Sequence, residues 1–98
     1  METALANAAV LEMYGYGRQL VRQKKYKEGF AVFEKNFKKN GNTWATHVGM
    51  MRGYSAIGDF KNALKHAKLA LVQAPDDVNK NSLTMMIKAL ESGKPVPE

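Results

Sequence analysis

Imidazole, carboxylate and guanidinium groups are the side chains here whose spacing could do chemistry. His47 and His66 are the two histidines of a chain that has no cysteine. Neither has a second ligand at the spacing that puts two on one helix face, so the sequence reads as carrying no metal site and no thiol nucleophile. His47 is expected to pack or lie at the surface, and His66, between Lys65 and Lys68, to be solvated. Asp76-Asp77 could act as paired carboxylates, but they stand just before an apolar-periodic stretch, where acidic residues start helices. Glu28 and Glu34 lie among lysines and read as solvated ion pairs of little individual worth. Gly15-Tyr16-Gly17 lacks the preceding strand and the third glycine of a phosphate loop. No nucleophile stands beside a base, so the expectation is a chain with no catalytic residue and no cofactor. Arg18, Arg22 and Arg52 remain as the candidate binding groups.

The elements that position them are helical. Leu11, Tyr14, Leu20 and Val21 give an apolar face at mixed three- and four-residue spacing, after an Ala-rich lead-in with Thr3 as a candidate N-cap. A polar turn at Arg22 to Lys25 separates this helix from one that begins near Tyr26, carries Phe30, Phe33 and Phe37, and ends at Asn40-Gly41. Asn42 or Thr43 can cap a third helix, which carries Val48, Met51 and Tyr54 and stops at Gly58. Asp59 caps a fourth, with Phe60, Leu64, Ala67 and Leu71, before Ala74-Pro75. A fifth opens at Asp76 or Asp77, carries Leu83, Ile87 and Leu90, and ends at Gly93 and Pro95. No stretch alternates as a half-buried strand does. The 98 residues suit one domain with an apolar share of 45%, enough for a packed interior.

Sliding the chain by 34 residues pairs Leu20 with Tyr54, Tyr26 with Phe60, Gly29 with Ala63 and Phe37 with Leu71. Two units follow, 10–43 and 44–77, and a closing helix over 76–92. The second unit resembles the tetratricopeptide repeat (TPR), a 34-residue helix-turn-helix, through Tyr54, Gly58-Asp59-Phe60, Ala63, Ala67, Ala70 and Pro75. It departs at Met51, where the pattern has a small residue, and at Ala67, where it has a large aromatic. In the first unit Gly17, Tyr26, Glu28, Gly29 and Phe33 fit, whereas Lys24-Lys25 replaces Gly-Asp, Asn36 a small residue and Gly41 the proline. The resemblance implies an all-α, right-handed helix-turn-helix array (an alpha-alpha superhelix) of about five helices. It would hold two TPR-like repeats and a C-terminal capping helix.

It also implies a binding surface. The first helix of each such repeat lines a concave face, which maps the groove to Leu11, Tyr14, Arg18, Val21 and Arg22 and to Ala45, Val48, Arg52, Ser55 and Ala56. Of these, Leu11, Tyr14, Arg18, Arg22, Val48, Arg52 and Ser55 are expected to meet a bound peptide. Guanidinium groups beside an aromatic suit a carboxylate or an acidic peptide. Tyr14, Arg18 and Asn79 replace the lysine, asparagine and second lysine of the carboxylate clamp in chaperone-binding relatives, which disfavours a chaperone-tail receptor.

The net charge of +6 raises a nucleic-acid reading. Lysine dominates it, at Lys24, Lys25, Lys27, Lys35, Lys38, Lys39, Lys61, Lys65 and Lys68, on outward faces and helix ends. A nucleic-acid stripe would mix arginine and aromatics, so this partner is disfavoured. No run reaches the roughly 20 apolar residues of a membrane span, so no membrane insertion is expected and the chain reads as soluble, its compartment, cytoplasmic or periplasmic, open. The favoured reading is a non-catalytic protein-protein interaction scaffold that takes a peptide on its concave face. The alternative is a terminal accessory or dimerisation domain of a larger protein, associating through Met85, Met86 and the Ala-rich first helix. The repeats also resemble those at the C-termini of bacterial envelope proteins of uncharacterised function, which implies a bacterial source.

Overall fold

Local hydrogen-bonding signals set the helix ends. The protein's structure, a computed structural model, describes residues 2–97 and, for side chains, 9–97. It places α1 over Glu2–Arg22, α2 over Tyr26–Asn40, α3 over Trp44–Ala56, α4 over Phe60–Gln73 and α5 over Asp77–Glu91. No strand occurs among the described residues. Thr43 caps α3 in a reciprocal box: its hydroxyl accepts from the Thr46 N–H at 3.2 Å, and its own N–H donates to Thr46 Oγ1 at 2.9 Å. Asp59 and Asp76 cap α4 and α5 by accepting from the N–H groups of Asn62 and Asn79. Thr3, the candidate N-cap, lies within α1, which includes Glu2, and its side chain is outside the described ones.

Helix ends recur at the 34-residue offset, Arg22 with Ala56 and Tyr26 with Phe60. So do the turns between them. The Lys24 N–H donates to the Val21 carbonyl and the Lys25 N–H to that of Leu20, both at 2.9 Å. Gly58 and Asp59 repeat this on Ser55 and Tyr54 at 3.1 and 2.9 Å. This pairing needs a left-handed residue just past the helix, which glycine supplies cheaply. Gly58 has φ 85°, and Lys24 holds the same conformation at φ 63° against its Cβ.

Each helix packs on the next, and α1 also reaches α3. Phe33 of α2 is fully buried at that three-helix junction. A Cβ on Gly17 of α1 would stand 2.4 Å from its ring, and Cβ atoms on Gly49 and Gly53 of α3 would stand 2.9 and 3.1 Å from it. Three glycines from two helices therefore leave the space the ring fills. The remaining core joins α3, α4 and α5 through Val48, Met51, Ala63, Ala67, Ala70, Leu83, Met86 and Leu90. Phe30 closes on Tyr54 edge to face at 4.9 Å and Phe60 packs on this core, whereas Tyr26, its partner at the 34-residue offset, is more than a third exposed. Asn36, buried where the offset puts Ala70, donates to the Val10 carbonyl at 3.2 Å and accepts from Asn40, so its amide is satisfied.

Two stability outcomes follow. Gly17→Ala is expected to lower stability by about 1–2 kcal/mol, because overpacking against Phe33 outweighs about 1 kcal/mol of helix propensity. A urea midpoint at or above that of the parent would show that the ring has room. Lys24→Gly is expected to raise stability by about 1 kcal/mol by removing the left-handed penalty, and an unchanged midpoint would show that this turn carries no strain.

Candidate functional site

The C-terminal ends of α1 and α3 lie side by side because Gly17, Gly49 and Gly53 admit both helices to Phe33. Between those ends opens a cleft of about 450 Å³, bounded by Arg18 and Arg22 of α1, Arg52 and Ser55 of α3, and Pro95 and Val96 beyond α5. Val21, Tyr26, Ala56 and Phe60 add apolar wall. Its size is that of a small-molecule or single-side-chain site. The Arg18 guanidinium stands 5.7 Å from the centre of the Tyr14 ring. Arg52 donates from Nε to the Tyr14 hydroxyl at 2.8 Å and from Nη1 to the Pro97 carbonyl at 3.1 Å.

Of the seven residues the sequence placed on a groove, Arg18, Arg22, Arg52 and Ser55 line this cleft. Tyr14 reaches it indirectly, by holding Arg52. Leu11 does not: it is 55% exposed and lies outside the lining, one helix turn before Tyr14 and toward the other end of α1. Val48 does not either, because it is buried in the α3–α4–α5 core, where its valine side chain is more stable than at a wet surface. Ser55 is buried, and its hydroxyl accepts from the Val96 N–H at 2.9 Å. The segment after α5 is the part of this site that the reading of the sequence missed. Its signal was present in Pro95-Val96-Pro97, since a residue before proline is held extended.

A second cluster forms where α2, α3 and α4 meet. His47 and His66 face one another, Nδ1 to Nδ1, at 3.1 Å. One nitrogen must donate and the other accept, so the rings take opposite tautomers there and the contact excludes the doubly protonated pair. Phe37 meets both rings edge on, and His66 stacks on Tyr54 with centroids 5.6 Å apart. His66 is thus half-buried rather than solvated as its lysine neighbours suggested: the helix turns Lys65 and Lys68 outward and the imidazole toward His47. His47 is buried, in keeping with a packing role. Burial lowers the pKa of His47, and burial, the facing His47 and nearby Lys65 push that of His66 down to about 4. Among the described residues no cluster of three or more His, Cys, Asp or Glu could hold a metal, and no helix is long and apolar enough to cross a membrane. Met86, read from sequence as an association surface with Met85, is buried in the core, while Met85 is 71% exposed. The side chains of the Ala-rich start before residue 9, which that reading also used, lie outside the described ones.

Comparison with models of protein families, with curated proteins and with solved structures finds no match.

Because both histidine pKa values are depressed, the unfolded chain binds protons that the native state refuses. This stability is fully present above the ordinary histidine pKa of about 6.5 and is lost as pH falls from there toward about 4. The Asp59 cap weakens only at lower pH, since its carboxyl titrates below the usual aspartate value. Urea midpoints are therefore expected to fall between pH 7 and pH 5, and His66→Gln, which does not titrate, to flatten that fall. An equally steep fall in the variant would mean that the pair is not its source.

Proposed function

We propose that this chain is a non-catalytic protein-interaction module of tetratricopeptide-like kind, which binds an extended peptide segment with acidic residues in the cleft between α1 and α3. The observation that carries the reading is the convergence of Arg18, Arg22 and Arg52 on one cleft with apolar walls at Val21, Tyr26 and Phe60. Guanidinium groups offer forked donors to a carboxylate, and the apolar wall takes the rest of the segment. The resemblance of Trp44 to Asp77 to the repeat pattern supports the same face, because the first helix of each unit supplies the groove. Lysine is largely elsewhere, on exposed faces such as the Glu34–Lys38 pair at 3.8 Å. That dispersal supports a peptide rather than a nucleic-acid backbone as partner.

A second reading, a terminal or associating domain of a larger assembly, has its own observation. Val72, Val78 and Met85 are 84%, 77% and 71% exposed, and Val78 and Met85 are seven residues apart on one face of α5. Such a face favours coverage by another element.

A fluorescence-anisotropy screen of acidic, aromatic- and proline-containing peptides, followed by sedimentation of the same samples, separates the two readings. For a peptide that binds, Arg22→Ala is expected to weaken affinity about tenfold, near the low end of the worth of a charge-assisted hydrogen bond. Affinity is also expected to fall with added salt. Unchanged affinity in Arg18→Ala, Arg22→Ala and Arg52→Ala would remove the cleft from the binding surface.

A further inference from the structure

The cleft is partly filled by the chain itself. Past α5 the Gly93 N–H donates to the Leu90 carbonyl at 3.0 Å and the Lys94 N–H to that of Ala89 at 2.9 Å. Gly93, with φ 76°, turns the chain back from the helix. Residues 94–97 then run without regular structure along the end of α3. The main chain is read at two points: the Val96 N–H by Ser55 Oγ and the Pro97 carbonyl by Arg52 Nη1, at 2.9 and 3.1 Å. The Val96 side chain, half-buried, packs on the core and forms part of the cleft wall with Pro95.

This is the way an extended peptide is held, by main-chain hydrogen bonds with an aliphatic side chain in a pocket. Prolines on either side of Val96 keep the segment extended before it docks, so ordering it costs little conformational freedom. They also remove the N–H groups of residues 95 and 97, which leaves Val96 with the one donor between Lys94 and Pro97, and Ser55 meets it. Within Lys94–Pro97 there is no carboxylate and Lys94 is cationic, while Glu98, the next residue, lies outside the described ones. These four residues therefore answer Arg52 with a neutral carbonyl, and Lys94 is a cation beside a cleft that Arg22 also lines.

We infer that Lys94–Pro97 is an internal stand-in for the partner's segment: the cleft takes an extended, proline-flanked run with an aliphatic residue at the place of Val96 and an acidic side chain reaching Arg22, and this strap must leave for it to bind. The inference rests on the reading of the cleft as a peptide site. Beyond the turn at Lys94, two hydrogen bonds and one half-buried valine hold the strap, a contact that a segment with the same main-chain run and a carboxylate in place of Lys94 exceeds. Gly93 is the hinge on which the strap swings while α5 stays in the core.

The test uses the full chain and the synthetic peptide acetyl-Glu-Pro-Val-Pro-Glu-amide, with its Gln-Pro-Val-Pro-Gln counterpart as control. In the free protein the Val96 amide is expected to exchange with solvent at least tenfold more slowly than an unstructured amide, to lose that protection in Ser55→Ala, and to lose it in the parent on saturation with the acidic peptide. Val96→Gly is expected to bind the acidic peptide about tenfold more tightly than the parent, and both to prefer it over the control. A Val96 amide that exchanges freely in the unliganded protein overturns the inference, as does protection that grows with protein concentration, which would assign the cleft to the strap of a second copy. Equal affinity of parent and Val96→Gly, or a retained Val96 amide in the complex, overturns the strap while leaving the cleft as a binding site. Failure of this peptide where other acidic peptides bind in an Arg22-dependent way overturns the strap alone, and failure of all of them overturns both readings.

Discussion

The fold depends on one ring being closed on by three glycines. Phe33 has no exposed surface, and the glycine at each of positions 17, 49 and 53 stands where any β-carbon would crowd it or its neighbour Phe30. A ring filling that space contributes dispersion contacts on every side, which a gap of even part of an ångström would forfeit. The consequence is geometric as much as energetic. Because α1 and α3 both approach α2 that closely, their C-terminal ends meet, and the cleft with its arginines exists only where those ends meet.

The same offset that puts Gly17 opposite Phe33 puts Met51 and Ala67 at the matching places one unit later. There the sizes are exchanged. Met51 and Ala67 are both fully buried in one cluster, so a long flexible side chain from α3 fills what a ring from α4 would fill. Cores tolerate such swaps when total volume is kept, and methionine adapts well to an irregular gap. The two departures from the repeat pattern at these positions are therefore a single exchange of volume. Glycine at 17 together with alanine at 67 marks which helix yields space in each unit. The turns tell a similar story: Lys24 takes the left-handed conformation of Gly58, and the two turns carry the same pair of hydrogen bonds.

Polar groups inside the array follow from that packing. Ser55 and Arg52 lie on the face of α3 that α1 approaches, and each finds a partner far along the chain, Val96 and Pro97 for one contact each and Tyr14 for the second of Arg52. His47 and His66 meet because α3 and α4 cross with Phe37 of α2 between them, not through any local motif. Ser55 and His47 are buried, so their polar atoms must be satisfied by other groups of the chain, whereas the Arg52–Pro97 contact lies at the surface. The histidine pair resists protonation for that reason.

The sequence by itself determined the five helices and, to within a residue or two, most of their ends. Thr43, Asp59 and Asp76 cap through their own or the next turn, Gly41, Gly58 and Gly93 end helices by local backbone preference, and the apolar spacing of each stretch sets its buried stripe. These are interactions over three to five residues, and they are legible in a linear reading. Of the candidate site, the three arginines and Ser55 were legible through the repeat offset, which acts as a coarse map of one helix face. Only the tertiary structure decided that Val48 belongs to the core and Leu11 to open solvent, that His66 turns inward, and that the strap lies on Ser55 and Arg52. The contacts concerned span 19, 41 and 45 residues of chain. No local preference encodes them: the histidine contact is set by how α3 and α4 pack and the strap contacts by how the chain returns to α3 after α5, while the approach of α1 and α3 follows from the volume of Phe33 against three glycines.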